Sequence, residues 1–146
     1  MSKKPKDAGA KPRKEIRCKT GATFEETSRN FAKIVTSPEL AATRTINAVE
    51  AVSDFGEHID LPTLMETLRQ QAEVVNSGDL RQVEGMLVNQ ATALQGLFTR
   101  LTERAMTSEY MTNLEGYMRL ALRAQSQCRA TLKTLSEIKS PPAVYA

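Results

Sequence analysis

The chain of 146 residues has no tryptophan, and aromatic residues make up only 5% of it. A core must therefore be built from Leu, Val, Ile, Met and Ala, a set that suits helices packed side by side. No apolar run approaches the roughly 18 residues of a membrane span, and no apolar segment follows the N-terminal lysines as it would in a secretory signal. These absences predict a cytoplasmic protein without membrane association.

Residues that carry chemistry are also scarce, with two cysteines and one histidine. Cys18 and Cys128 belong to no CxxC pair, so neither a disulfide framework nor a zinc site is expected. We interpret Cys128 as a small buried residue and Cys18 as an exposed one. His58 lies in a predicted loop without the positioned partner and nucleophile that a general base needs. The sequence predicts a protein that is not an enzyme and has no metal, cofactor or small-molecule substrate.

Positive charge is concentrated at the N-terminus. The formal net charge is +3, yet eight basic and two acidic residues give the first 20 residues a net charge of +6, which leaves −3 for the remainder. With few apolar residues, residues 1–22 are predicted to be a disordered basic arm. Such an arm is either a solvated end or a nucleic-acid contact that neutralises phosphates. The candidate contacts are Lys3, Lys4, Lys6, Lys11, Arg13, Lys14, Arg17 and Lys19.

Three start signals predict shorter helices. Thr23-Phe24-Glu25-Glu26 has the form of a capping box. Ser37-Pro38-Glu39 predicts a second helix that ends near Phe55. Asp60 is expected to cap a third, which ends at Asn76-Ser77-Gly78. The expected buried residues are Ile46, Val49 and Val52 of the second helix, and Leu61, Leu64, Met65, Leu68, Ala72 and Val75 of the third.

Two longer helices follow. Asp79 is predicted to cap a helix over about residues 79–106, and after a break at Thr107-Ser108 another runs over about 109–139. The fold class is therefore all-α: a helical bundle dominated by a long antiparallel hairpin, with two or three shorter helices. We expect residues 23–139 to form a single helical domain and residues 140–146 a C-terminal tail.

The predicted hairpin has a defined register. If the chain folds back at residues 107 and 108, facing residues have numbers that add up to about 215, and the facing pairs are apolar at coiled-coil spacing. These pairs are Leu101 with Leu114, Leu97 with Met118, Leu94 with Ala121, Leu87 with Cys128, Val83 with Leu132, and Leu80 with Leu135. Gln90 would face Gln125, either as a structural polar layer or at an interface with another subunit.

Two further features of the hairpin point outward. Met86, Ala91, Phe98, Tyr117 and Ile138 are apolar and need cover, from the shorter helices or from self-association. One side of the last helix is basic. Its residues are Arg119, Arg123, Arg129 and Lys133, with Glu115 and Glu137 placed to pair with Arg119 and Lys133. This side is either a solvated face or a surface for an anionic partner.

The stretches MLVNQA (86–91) and LALRAQSQCRATL (120–132), with Ile138-Lys139 and Pro141-Pro142 after them, resemble an uncharacterised family of bacterial proteins found in prophage and mobile-element regions. The resemblance covers about residues 37–142 and implies no activity. It implies a helical scaffold or oligomerisation protein or, by analogy with small terminase subunits, a packaging or DNA-handling accessory. We therefore expect a non-catalytic interaction or assembly protein, with nucleic-acid binding by the arm as the alternative.

Overall fold

The computed structural model describes residues 9–140, and the predicted all-α class with a long hairpin is confirmed there. The five helices are α1 (Phe24–Val35), α2 (Pro38–Glu50), α3 (Leu61–Asn76), α4 (Arg81–Met106) and α5 (Met111–Lys139). They form two compact units divided between Ser77 and Gly78. Gly78 has a φ of 93°, a left-handed conformation that favours glycine. Of the predicted C-terminal tail, residues 141–146 lie outside the described residues.

The predicted caps of the three shorter helices are confirmed, because each cap side chain accepts a hydrogen bond from the backbone three residues on. The acceptors are Thr23 for Glu26 N–H (3.1 Å), Ser37 for Leu40 N–H (3.2 Å) and Asp60 for Thr63 N–H (3.2 Å). The predicted cap of the fourth helix is wrong. α4 begins at Arg81, and Asp79 instead accepts from Arg81 N–H (3.1 Å) and pairs with the Arg81 guanidinium (2.6 Å).

Helix α2 ends earlier than predicted, at Glu50 rather than near Phe55. The chain then turns so tightly that a Cβ on Gly56 would clash with the Glu50 carbonyl. The buried face of α2 is centred on Thr43, whereas Val49 and Val52 are exposed. The prediction for these two valines is wrong because Val52 lies beyond the end of the helix and Val49 lies on its outer face.

In the second unit, α4 and α5 pack closely as an antiparallel hairpin joined by residues 107–110. The fully buried positions are small: Ala91, Ala105, Ala121, Ala124 and Cys128. Leu87, Leu94, Phe98 and Leu101 of α4 and Leu114, Thr131 and Leu135 of α5 are half-buried and continue the same lines. The contact between the helices therefore repeats at alternating intervals of three and four residues. We call it the alanine seam.

The predicted polar layer is wrong. Gln90 and Gln125 are both exposed, and no hydrogen bond joins them. The neighbouring alanines, Ala91 and Ala124, take the buried positions instead. The predicted seam had two rows of residues on each helix. On α4 the row that contains Leu87 and Leu94 is correct, but the other row is displaced by one residue, so that Ala91 takes the place of Gln90. Methyl side chains at these positions allow close approach of the two helices, and burial of an amide is avoided.

The register also differs from the prediction. Three contacts cross the hairpin: Cys128 Sγ lies 3.4 Å from the Ala91 carbonyl, Lys139 Nζ lies 2.9 Å from a Glu84 carboxylate oxygen, and Arg104 stacks 5.9 Å from the centre of the Tyr117 ring. The numbers of these pairs add up to between 219 and 223 instead of about 215. In these three contacts the α5 residue thus lies four to eight positions further along the helix than predicted, partly because the connection has four residues rather than two.

The alanine seam predicts opposite outcomes for two neighbouring substitutions. Ala124→Leu should lower the free energy of unfolding by about 1–3 kcal/mol, because a buried site has no room for three more carbons. Gln125→Leu at the adjacent exposed position should change it by less than about 0.5 kcal/mol. Urea unfolding followed by circular dichroism measures both. A larger loss for Gln125→Leu would restore the predicted polar layer.

Candidate interaction surfaces

The segment before α1 is attached to the N-terminal unit through Asp60. Residues 10–21 run without a turn or bend. The Arg13 guanidinium donates to both Asp60 carboxylate oxygens, at 2.9 and 2.8 Å, and the Arg13 N–H donates to Oδ1 at 2.7 Å. In return, the Leu61 N–H donates to the Arg13 carbonyl at 2.9 Å. Asp60 therefore caps α3 and binds the segment at the same time.

Lys14 adds a second attachment. Its Nζ donates to the carbonyl oxygens of Gly56 and Ile59, both at 2.7 Å. These carbonyls lie in the connection between α2 and α3. The prediction of a disordered arm is therefore wrong at Arg13 and Lys14, which are bound within the unit rather than free for nucleic acid.

The electrostatics of this attachment centre on one carboxylate. Hydrogen bonds from the Arg13 side chain, followed by one from Thr63, hold the pKa of Asp60 far below its ordinary range. The same contact raises the pKa of Arg13. Both groups therefore stay charged throughout the neutral range, and the ion pair is sensitive to acid rather than to alkali.

A groove of about 860 Å³ runs between this segment and the helices α1 and α3. Its lining contains the apolar residues Pro12, Ile16, Ile34, Pro62 and Met65, the basic residues Arg13, Lys14, Arg17, Lys19 and Arg69, and the acids Glu15 and Glu66. Arg69 pairs with Glu66 at 2.7 Å. Within residues 9–140, no carboxylate lies within ion-pair distance of Arg17 or Lys19. The groove therefore combines apolar residues with an excess of positive charge.

The other predicted contacts of the arm are not part of this arrangement. Lys11 is exposed and lies outside the lining of the groove. Lys3, Lys4 and Lys6 lie outside the described residues. Of the eight basic residues predicted as one set, the structure thus brings four, Arg13, Lys14, Arg17 and Lys19, to the groove.

The predicted basic side of α5 is solvent-facing. Its four members, Arg119, Arg123, Arg129 and Lys133, are exposed. Lys133 pairs with Glu137 at 3.8 Å, as the spacing predicted, but the expected pair between Glu115 and Arg119 is not formed. Exposed ion pairs of this kind contribute about 0–1 kcal/mol. Arg119 and Arg123 line one shallow open pocket on this side, and Arg129 and Lys133 line another. None of the four basic side chains is buried, as in an ordinary solvated helix face.

The apolar residues beside the alanine seam form another surface. On α4, Val88 is 47% exposed, and on α5, Leu122 and Leu132 are 54% and 49% exposed. At 100° per residue, these three lie on the same side of the antiparallel pair, and we call them the apolar flank. The opposite side exposes Met86, Leu97 and Leu120. The hairpin buries its small residues and leaves its larger aliphatic ones half in solvent.

The remaining candidate residues are one histidine and two cysteines. His58 is exposed at the end of a 3₁₀ turn (Gly56–His58). Cys128 is buried as predicted, whereas Cys18 is half-buried rather than exposed. Over residues 9–140, no three His, Cys, Asp or Glu side chains come together as metal ligands would. No helix in that range is both long and apolar enough to cross a membrane.

Comparison with known proteins finds no matching family model, no matching curated protein and no matching solved structure. The surfaces described above must therefore be interpreted from their own chemistry.

Two features of the sequence indicate the groove but are not visible in the amino-acid composition. The first was the alternation of Ile16, Arg17 and Cys18. Ile16 and Cys18, two positions apart, are half-buried, and Arg17 between them is exposed. This alternation is typical of an extended segment against a surface. The second signal was Asp60, whose side chain has enough acceptor sites to cap a helix and bind an arginine together.

The Asp60 contact predicts a pH dependence. Because the pKa of Asp60 is lower in the folded chain than in the unfolded one, the contact adds stability above the unfolded value of about 3.9 and loses it as the pH falls below that value. The thermal unfolding midpoint of the native chain should therefore drop between pH 6 and pH 2 by more than that of Asp60→Asn, which keeps a cap but not the charge.

Differential scanning calorimetry of both chains over this pH range measures the effect. Asp54→Asn, at an exposed position without a bond to Arg13, is the matched control and should follow the native chain. Parallel pH profiles for native and Asp60→Asn protein would contradict the assignment.

Proposed function

We propose that this protein is a non-catalytic interaction or assembly protein, whose helical hairpin associates with a second copy of the chain. The observation that supports this proposal is that the apolar flank is exposed, whereas the alanine seam next to it buries only small side chains. In water, large aliphatic side chains left half-exposed in a row favour association. A role in prophage or mobile-element biology is part of the proposal and is supported only by the resemblance over about residues 37–142, which is most specific from 119 to 132.

Two further features of the hairpin support self-association. Residues 85–99 of α4 contain no charged side chain, so about four turns of this helix carry no charge on any face. Depletion of charge is typical of the centres of protein interfaces. In size, one side of the hairpin is about 40 Å long and about 20 Å wide, on the order of 800 Å². Stable interfaces bury about 800 Å² on each partner.

The test is the oligomeric state of matched variants. Light scattering coupled to size exclusion should give a dimer at tens of micromolar. Leu122→Lys with Leu132→Lys should raise the dissociation constant by about tenfold or more, since two charges would be buried without partners. Leu97→Lys with Leu120→Lys, on the opposite side, is the control and should leave it unchanged. A native chain that stays monomeric, or a stronger effect from the control pair, would refute the proposed surface.

Nucleic-acid binding by the basic segment is the second candidate function. It is supported by Lys11, Arg17 and Lys19, which are exposed and have no carboxylate within ion-pair distance among residues 9–140. Such cations neutralise phosphates and release counterions, which makes binding strongly dependent on salt.

The corresponding experiment measures duplex DNA affinity against salt concentration. Replacing Lys11, Arg17 and Lys19 with alanine should lower the slope of log affinity against log salt by about 2–3. The matched control replaces Arg119, Arg123 and Arg129 with alanine, which removes the same charge from α5. Equal slopes for the two triple variants would exclude the segment as the DNA contact.

A further inference from the structure

The backbone of the segment that borders the groove has free hydrogen-bonding groups as far as residues 9–140 are concerned. Residues 14–18 make no hydrogen bond through their N–H or carbonyl groups to any described part of the chain. The two ends of this stretch are nevertheless held. The Arg13 carbonyl accepts from the Leu61 N–H at 2.9 Å, and the Lys19 carbonyl accepts from Asn30 Nδ2 at 3.0 Å. A straight piece of chain is thus fixed at both ends with its polar backbone open between them.

An open backbone of this kind is a template for another strand. Paired N–H and carbonyl groups along an exposed edge give a bound peptide most of its affinity, and pockets for alternate side chains give specificity. Because Arg13 and Lys19 already hold the segment in place, a partner would not have to order it. Preorganisation removes part of the entropic cost of binding.

The side chains beside this edge define the partner's chemistry. Ile16, Ile34 and the buried Met65 form the apolar part of the groove. Arg17 and Lys19 supply positive charge that exceeds the negative charge of Glu15, the acid of the lining that makes no ion pair within the described residues. The cavity volume of about 860 Å³ lies within the range of about 300–1,000 Å³ that is usual for ligand sites. A peptide strand presents alternate side chains to opposite faces. Apolar and acidic residues in alternation would match this groove.

We propose that the groove binds an extended acidic peptide of a partner protein, which adds as a strand along residues 14–18. Its apolar side chains cover the half-buried Ile16 and Ile34, and its carboxylates pair with Arg17 and Lys19. Single-stranded nucleic acid fits less well, because its bases stack on aromatic side chains and the lining of the groove contains none. This site is separate from the hairpin surface, so each proposal stands or fails without the other.

The first experiment measures anisotropy of a fluorescent eight-residue peptide of alternating Glu and Val, titrated with the full chain. Saturable binding is expected, and Arg17→Glu with Lys19→Glu should weaken it about tenfold or more, because attraction becomes repulsion. Lys33→Glu with Arg44→Glu makes the same charge change outside the lining of the groove and should have little effect. Absence of saturable binding, or equal weakening by both double variants, would overturn the proposal.

The second experiment uses the native protein and alters only the peptide, so it does not depend on the folding of a variant. Methylation of alternate backbone nitrogens removes the N–H donors on one edge while charge and side chains stay the same. The peptide methylated on the pairing edge should bind about tenfold more weakly, as expected for loss of several hydrogen bonds. Unchanged affinity for both methylated edges would refute strand addition. Displacement of the peptide by oligothymidylate of equal charge at concentrations well below those of unlabelled peptide needed for the same effect would assign the groove to nucleic acid.

Discussion

The close approach of α4 and α5 is the constraint on which the rest of the hairpin depends. Ala91, Ala105, Ala121 and Ala124 leave little room between the two helices, and Cys128 fills the space beside Ala91. A seam of small residues brings backbones near one another but buries little area for each residue. The larger aliphatic residues therefore lie beside the seam. The apolar flank is therefore exposed because alanine, rather than a larger residue, occupies the seam.

In the N-terminal unit, a comparable role falls to one carboxylate. Asp60 begins α3 by accepting from Thr63, and the same side chain binds Arg13. Local helix formation and long-range attachment thus use the same atoms, which places residues 14–19 beside α1 and α3 and creates the groove. Composition alone predicts that this basic segment is a solvated arm. The ion pair between Arg13 and Asp60 instead places the segment along one side of the groove.

Much of the architecture could be predicted because its signals are local. The caps at Thr23, Ser37 and Asp60 depend on contacts three residues away, and apolar periodicity located α3, α4 and α5 to within a few residues at each end. Asp79 failed as a cap because its carboxylate binds Arg81, a competing local partner of equal reach. The end of α2 was missed because Gly56 packs against Glu50 only after the chain has turned.

The sequence by itself determined that this protein is helical, that its longest helices form a hairpin, and that positive charge gathers at the N-terminus. Only the tertiary structure decided which row of residues on each long helix is buried against the other helix. Periodicity allowed either Gln90 or Ala91 in the seam, and the choice depends on how closely two helices pack, a distance that neither helix encodes alone. The groove was likewise decided by tertiary structure, because Arg13 and Asp60 are 47 residues apart and their pairing leaves no periodic trace in the chain.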